Sequence, residues 1–171
     1  TQTPTLITLF TITNHQPWEI PENKKNIVPK FSPNNGNPNV LQLEEIPKPI
    51  PQKKEVRVKL KFIGINYAEI LSRKGLYGWA PDKPYVLGME GFGVIDSIGE
   101  KVSKYKVGDN VIVGSQNGTY TENIVIPENQ ALKPFAHLSD IENTAIAING
   151  LTAWIGLMEL ARLKVEDKVL I

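Results

Sequence analysis

Residues 86–113, VLGMEGFGVIDSIGEKVSKYKVGDNVIV, constrain this chain more than any other stretch. Five of its 13 glycines fall there: Gly88, Gly91, Gly93, Gly99 and Gly108. Glycine at this density beside β-branched residues raises the question of a loop that cradles phosphate. The spacing argues against it. Gly88, Gly91 and Gly93 give G-x-x-G-x-G, the reverse of the dinucleotide fingerprint, and no Lys-Ser or Lys-Thr comes after them as in a P-loop. The next residues are the β-rich run Val94-Ile95-Asp96-Ser97-Ile98, a turn at Gly99-Glu100, and another strand opened by Gly108-Asp109. A phosphate site needs a helix N-terminus whose free N–H groups face the anion. These glycines instead mark places where backbone passes close to a neighbour or bends within a sheet.

The rest of the chain reads as strands first and helices last. Residues 5–13, TLITLFTIT, form a β-branched strand pattern, and residues 16–39, dense in Pro and Asn, read as a long irregular loop. A second strand spans 40–46. Residues 56–63 alternate cleanly, with Val56, Val58, Leu60 and Phe62 on one face and Arg57, Lys59 and Lys61 on the other. Asn66 and Glu69 have the spacing of a capping box, and Gly75 is a fitting stop for the helix between. An aromatic loop, residues 76–81, leads into the glycine-rich stretch. Residues 115–119 read as a hairpin turn and 120–126 as the strand after it, closed by Pro127.

At Ser139 the period changes. Ser139 and Glu142 form a second capping box ahead of Ile141, Ala145 and Ile148, which share a helical face. Asn149-Gly150 interrupts, residues 151–163 carry another helix with Ile155, Met158 and Arg162 on one side, and residues 169–171 begin a strand. This order predicts a mainly β domain over 1–138 and the start of an α/β domain over 139–171.

Composition narrows the chemistry. A net charge of +1 gives no footprint for nucleic acid or an anionic membrane. With no cysteine there is no thiolate nucleophile and no cysteine-ligated zinc, and His15 and His137 lie far apart, so a metal site is not expected. No run is long and apolar enough for a transmembrane helix, no secretory signal is legible, and a cytoplasmic location is the default.

The runs Gly64-Ile65-Asn66-Tyr67-Ala68-Glu69-Ile70, Gly75-Leu76-Tyr77 and Pro84-Tyr85-Val86-Leu87-Gly88-Met89-Glu90-Gly91 resemble the medium-chain dehydrogenase/reductase superfamily. So do Gly93-Val94-Ile95, Val107-Gly108-Asp109-Asn110-Val111 and Gly150-Leu151-Thr152-Ala153-Trp154, in order, over residues 40–171. The zinc-dependent members place a cysteine near Asn66 and a histidine at Met89, and neither residue here can replace those ligands. The resemblance is therefore to the zinc-independent quinone oxidoreductase-like branch. It implies a GroES-like partly open β-barrel with C-terminal helices, followed by the truncated start of a Rossmann domain. It also implies NADPH as hydride donor, a quinone, enone or enoyl thioester as small-molecule substrate, and a homodimer among the assemblies open to the chain. The glycine-rich pyrophosphate turn of the family would come after Ile171, so the residues in hand are not expected to hold NADPH tightly or to act alone.

Carried over residue by residue, Tyr77 matches the family's tyrosine proton donor, and its plainer role is packing on Trp79. Asn66 matches the asparagine lining the nicotinamide pocket, and its plainer role is the helix cap. Thr152 matches the threonine near the nicotinamide, and its plainer role is a bond to the preceding helical turn. Met89 reads as packing, Glu90 as a buried carboxylate needing a partner such as Arg73, and the histidines as surface residues. The rival from another class is a non-enzymatic GroES-like interaction module without cofactor binding.

Overall fold

A computed structural model of the chain describes Trp18–Glu19, Ile27–Phe31 and residues 35–170. The strand expected over 5–13, and His15, lie outside these residues.

The centre is a six-stranded antiparallel half-barrel. Its hydrogen-bonded path runs β1 (Trp18–Glu19), β4 (Glu55–Ile63), β5 (Glu90–Ile98), β6 (Asn110–Gly114) and β8 (Ala131–Leu132), while β7 (Asn123–Pro127) also pairs with β4. One edge of β4 is taken by β5; the other is shared, with β7 along residues 55–59 and β1 at residues 62–63. A separate two-stranded sheet joins β2 (Ile27–Phe31) to β3 (Leu41–Glu45). The loop expected over 16–39 therefore holds two strands. Ile27, Val28 and Phe31 supply the β-branched and aromatic character that the surrounding prolines mask in a composition count.

The alternation of β4 sets the core. Val56, Val58 and Leu60 are buried with Ile95, Val111, Val113, Ile124 and Ile126, while Lys59 and Lys61 point to solvent. The period then slips, because an irregularity between Leu60 and Phe62 turns Ile63 inward and leaves Phe62 half-buried. That slip is useful: Phe62 packs on a second cluster of Phe92, Ile112 and Ala147, which ties the sheet to the C-terminal helices.

Helix α1 (Tyr67–Lys74) starts at Asn66 and stops at Gly75, which adopts the left-handed conformation with φ 75°. Ser139 opens α2 (Asp140–Ala145) through a reciprocal capping box with Glu142. Three expectations need correction. The strands flanking residues 115–119 do not form a hairpin: β6 pairs with β5 and β8, and β7 crosses to β4. Asn149-Gly150 does not break the helix, which runs on through a π-helical turn (Ile146–Gly150), α3 (Leu151–Trp154) and a second π-helical turn (Ile155–Leu160). The Asn149 amide donates to the Ala145 carbonyl one turn back, so a potential helix breaker instead bonds along the axis. At the far end, among the described residues, Leu170 forms a β-bridge and Val169 does not, so the strand expected from 169 starts no earlier than 170.

Candidate functional site

The site grows from α1 and the glycine-rich stretch that faces it. Glu69, on the first turn of α1, is almost fully buried and accepts three hydrogen bonds. They come from the Asn66 N–H (2.6 Å), the Met89 N–H (2.8 Å) and the Tyr120 hydroxyl (2.7 Å). Burial raises the Glu69 carboxyl above its ordinary range, and these bonds only partly offset it. Burial also pushes the Tyr120 hydroxyl up, and the neighbouring Glu69 charge adds to the rise. The Tyr120 hydroxyl holds its proton in the bond to Glu69, and the pair braces α1 against the glycine-rich stretch.

Close packing at Gly88 makes this possible. Its φ is +101°, and a Cβ there would overlap the Thr119 hydroxyl and the Tyr120 backbone N–H. Gly93 is likewise held against the Lys59 carbonyl of the next strand. At these two positions the glycines mark close backbone approach and no phosphate cradle.

Beside Glu69 lies a small hollow, open to solvent, lined by Tyr77, Trp79, Tyr85, Met89, Gln116 and Asn117. Tyr77 stands half-buried on its wall, and Trp79 is exposed. Tyr85 is raised in pKa, first by burial and then by the Glu69 charge, against a hydrogen bond with Ser72. The Trp79 carbonyl accepts a long bond from the Gln116 amide (3.4 Å), which links loop 76–81 to the loop after β6.

The other two expected site residues lie on a second network. Asn66 is buried and its amide nitrogen donates to Glu90 Oε1 (3.1 Å). Glu90 Oε2 accepts the Ile148 N–H (2.9 Å), and the Ile148 carbonyl accepts the Thr152 hydroxyl (2.7 Å). The expected partner of Glu90, Arg73, instead donates to the Gly36 carbonyl. Asn66 and Thr152 are therefore joined through one carboxylate and one helical turn, while Tyr77 stands apart on the wall of the hollow. The Thr152 hydroxyl makes the backbone bond of its plainer reading, yet the residue remains exposed.

Sequence reasoning passed over two participants. Glu69 reads as a helix cap, but its partners Met89 and Tyr120 lie 20 and 51 residues on, which no local pattern reports. Asn143, also buried, accepts from the Phe135 N–H and donates to the carbonyls of Phe135, Leu138 and Ser139, stapling that loop to α2. Met89 contributes its backbone N–H here, and a thioether offers a hard cation little. Among the described residues no three His, Cys, Asp or Glu side chains gather as a metal site would require, and no helix is long and apolar enough to cross a membrane.

Residues 52–136 match the alcohol dehydrogenase GroES-like domain. The synaptic vesicle membrane protein VAT-1 homolog of Danio rerio is 35% identical over 124 residues, which make up 72% of this chain and 26% of that protein. Escherichia coli quinone oxidoreductase, solved in complex with NADPH, superposes with a TM-score of 0.72 at 32% identity, covering 78% of this chain and 41% of that one. JamJ enoyl reductase, solved in its apo form, gives a TM-score of 0.74 at 26% identity over 82% of this chain and 44% of that one. The chain spans less than half the length of each.

Proposed function

Because the chain belongs to the medium-chain dehydrogenase/reductase superfamily, in its quinone oxidoreductase-like branch, we propose that it forms the substrate side of an NADPH-dependent oxidoreductase. The reaction is reduction of a quinone or of an activated C=C, in an enone or enoyl compound, by hydride transfer without zinc. A homodimer and a cytoplasmic location go with that reading as expectations.

One observation carries the proposal: the hollow joins aromatic walls to polar groups with a proton or amide to give. Tyr77, Trp79 and Tyr85 offer flat apolar surface to a conjugated acceptor, while Gln116 and Asn117 offer amides at its edge. NADPH, when bound, supplies the hydride. Negative charge that then develops on the acceptor oxygen needs a donor within hydrogen-bond reach, and the Tyr77 hydroxyl is the group we assign to deliver the proton. Glu69 is already engaged within the protein, its oxygens accepting three bonds.

Among the described residues, those that suit the cofactor suit one end of it only. Thr152 spends its proton on the Ile148 carbonyl, so its oxygen is left to accept from a carboxamide N–H. Asn66 has its amide nitrogen committed to Glu90, so what it can offer a nicotinamide is its carbonyl oxygen. The pyrophosphate finds no such fit among the described residues. The N-termini of α1 and α2 are each closed by their own carboxylate, Glu69 on the Asn66 N–H and Glu142 on the Ser139 N–H.

The test is NADPH oxidation by the protein as its gene encodes it, offered a quinone and an enone in turn. We expect acceptor-dependent loss of NADPH that falls at least about a hundredfold in Tyr77→Phe, the usual contribution of a general acid. A folded product that binds no NADPH would overturn the reading in favour of a non-enzymatic GroES-like module.

A further inference from the structure

One buried group has no part in the chemistry above: the carboxylate of Glu90, fully enclosed at the first position of β5. Its two oxygens serve different elements. Oε1 accepts the Asn66 amide at the entry to α1, and Oε2 accepts the Ile148 N–H from the C-terminal helical run. A carboxylate out of water is retained only where its partners satisfy it.

Three features show that the surroundings are shaped to it. A Cβ at position 64 would overlap the Glu90 side chain, so glycine there makes room for the carboxylate. The Ile148 N–H belongs to the π-helical turn Ile146–Gly150, where the regular i→i−4 ladder is interrupted and an N–H is freed to bond sideways. The carbonyl of that same residue holds the Thr152 hydroxyl. Barrel, helix α1 and C-terminal run thus meet at one side chain.

We propose that Glu90 is the positioning residue of this site. It turns the nitrogen of the Asn66 amide inward, and it locks to that amide the helical turn that carries Thr152, so that two residues from separate elements are presented as one rigid frame. The proposal rests on the reading of Asn66 and Thr152 as cofactor-facing residues, and its test separates the two.

The chemistry allows a donor–acceptor swap. Glutamine at 90 keeps the size of glutamate but turns one oxygen into a donor, which must then face either the Asn66 NH2 or the Ile148 N–H. Aspartate at 66 sets a second carboxylate against Glu90. Made together, Glu90→Gln and Asn66→Asp reverse the polarity of the bond: the new amide donates to the new carboxylate, and its oxygen still accepts from Ile148. The acceptor oxygen at position 66 is also preserved.

Both single variants and the double variant would be made in the protein as its gene encodes it. Three quantities would be followed: the unfolding midpoint, hydrogen exchange at the Ile148 amide, and kcat and KM for NADPH oxidation. Each single variant is expected to lose at least about tenfold in kcat, the kinetic equivalent of one oriented hydrogen bond, with faster exchange at Ile148 and a lower midpoint. The double variant should recover the midpoint and the protection at Ile148. Unchanged kcat and Ile148 protection in Glu90→Gln, or a double variant no better than the worse single in midpoint and Ile148 protection, would overturn the proposal. If the unaltered protein oxidises no NADPH, the oxidoreductase reading fails by itself. The midpoint and Ile148 exchange then decide whether the frame exists: recovery in the double variant upholds it and non-recovery ends it. Should Asn66→Asp not fold, Ile148 exchange in Glu90→Gln alone decides: faster exchange upholds the frame and unchanged exchange ends it.

Discussion

Gly88 and Gly108 share a left-handed backbone, with φ of 101° and 96°, but not a neighbourhood. Around Gly108 an added Cβ would meet nothing within 4 Å, whereas at Gly88 it would meet Thr119 and the backbone of Tyr120. Gly108→Ala should therefore cost only the conformational strain, about 1–2 kcal/mol. Gly88→Ala should cost at least about 3 kcal/mol once the clash is added. Chemical denaturation of the two variants side by side checks this, and equal losses would mean that crowding at Gly88 is relieved. Asp96 gives a pH test. Partial burial works to raise its carboxyl, but hydrogen bonds and charge from Arg57 and Lys48 outweigh it and hold the group below its ordinary range. A lowered folded pKa adds stability above the unfolded value, near pH 4, and that stability is lost as pH falls through the lowered value. Asp96→Asn should lower stability at pH 7 by up to about 1 kcal/mol, since the pair is partly solvated. The deficit should vanish in acid when unfolding midpoints are compared across pH. Residue identity alone showed that the glycines sit where backbones approach, and Gly88 and Gly93 do so. It could not separate Gly88 from Gly108, nor give Glu90 its partners Asn66 and Ile148 in place of Arg73, because those neighbours arrive from distant parts of the chain.

At the scale of elements, local signals were the legible ones. The Asn66–Glu69 spacing and Gly75 bracket α1, Ser139 and Glu142 open α2, and the alternation of β4 marks its buried face. Each of these is written within a few residues. Replacing Ser139 with alanine should remove the cap of α2 and cost about 1 kcal/mol in a urea titration. An unchanged midpoint would mean that packing among Phe62, Ile146 and Ala147 holds the helical run without its cap. What was illegible depends on pairing across the chain. β2 is hidden in proline-rich sequence and is held in place by β3; β7 leaves its sequence neighbour to pair with β4. The helix runs through Asn149-Gly150 because Glu90 satisfies a backbone N–H that a π-helical turn releases. Propensity counts each residue against its own neighbours and cannot include a carboxylate from 58 positions away.

Across the whole molecule the half-barrel is well sealed, while the C-terminal run turns apolar side chains outward, among them Leu151, Trp154, Leu160 and Leu170 at 55%, 57%, 78% and 64% exposure. Resemblance had implied NADPH, and the family assignment stands, but the described residues offer the nucleotide an incomplete berth. A pyrophosphate carries two negative charges and is held where several backbone N–H groups converge without a competing anion. In α1 the first turn is occupied by Glu69, and in α2 by Glu142 bonded to both the N–H and the hydroxyl of Ser139. Displacing either carboxylate would uncap a helix and, at Glu69, release Met89 and Tyr120 as well. Binding energy for the phosphates would thus be spent on breaking the site proposed above for the nicotinamide end. Titration of the 171-residue chain with NADPH, followed by nucleotide fluorescence, should accordingly show no saturation in the micromolar range. Glu142→Gln should not create a site, because α2 is too short to gather the N–H groups an anion needs. Saturable micromolar binding by the unaltered chain would show that its own residues hold the pyrophosphate by a route other than a helix N-terminus.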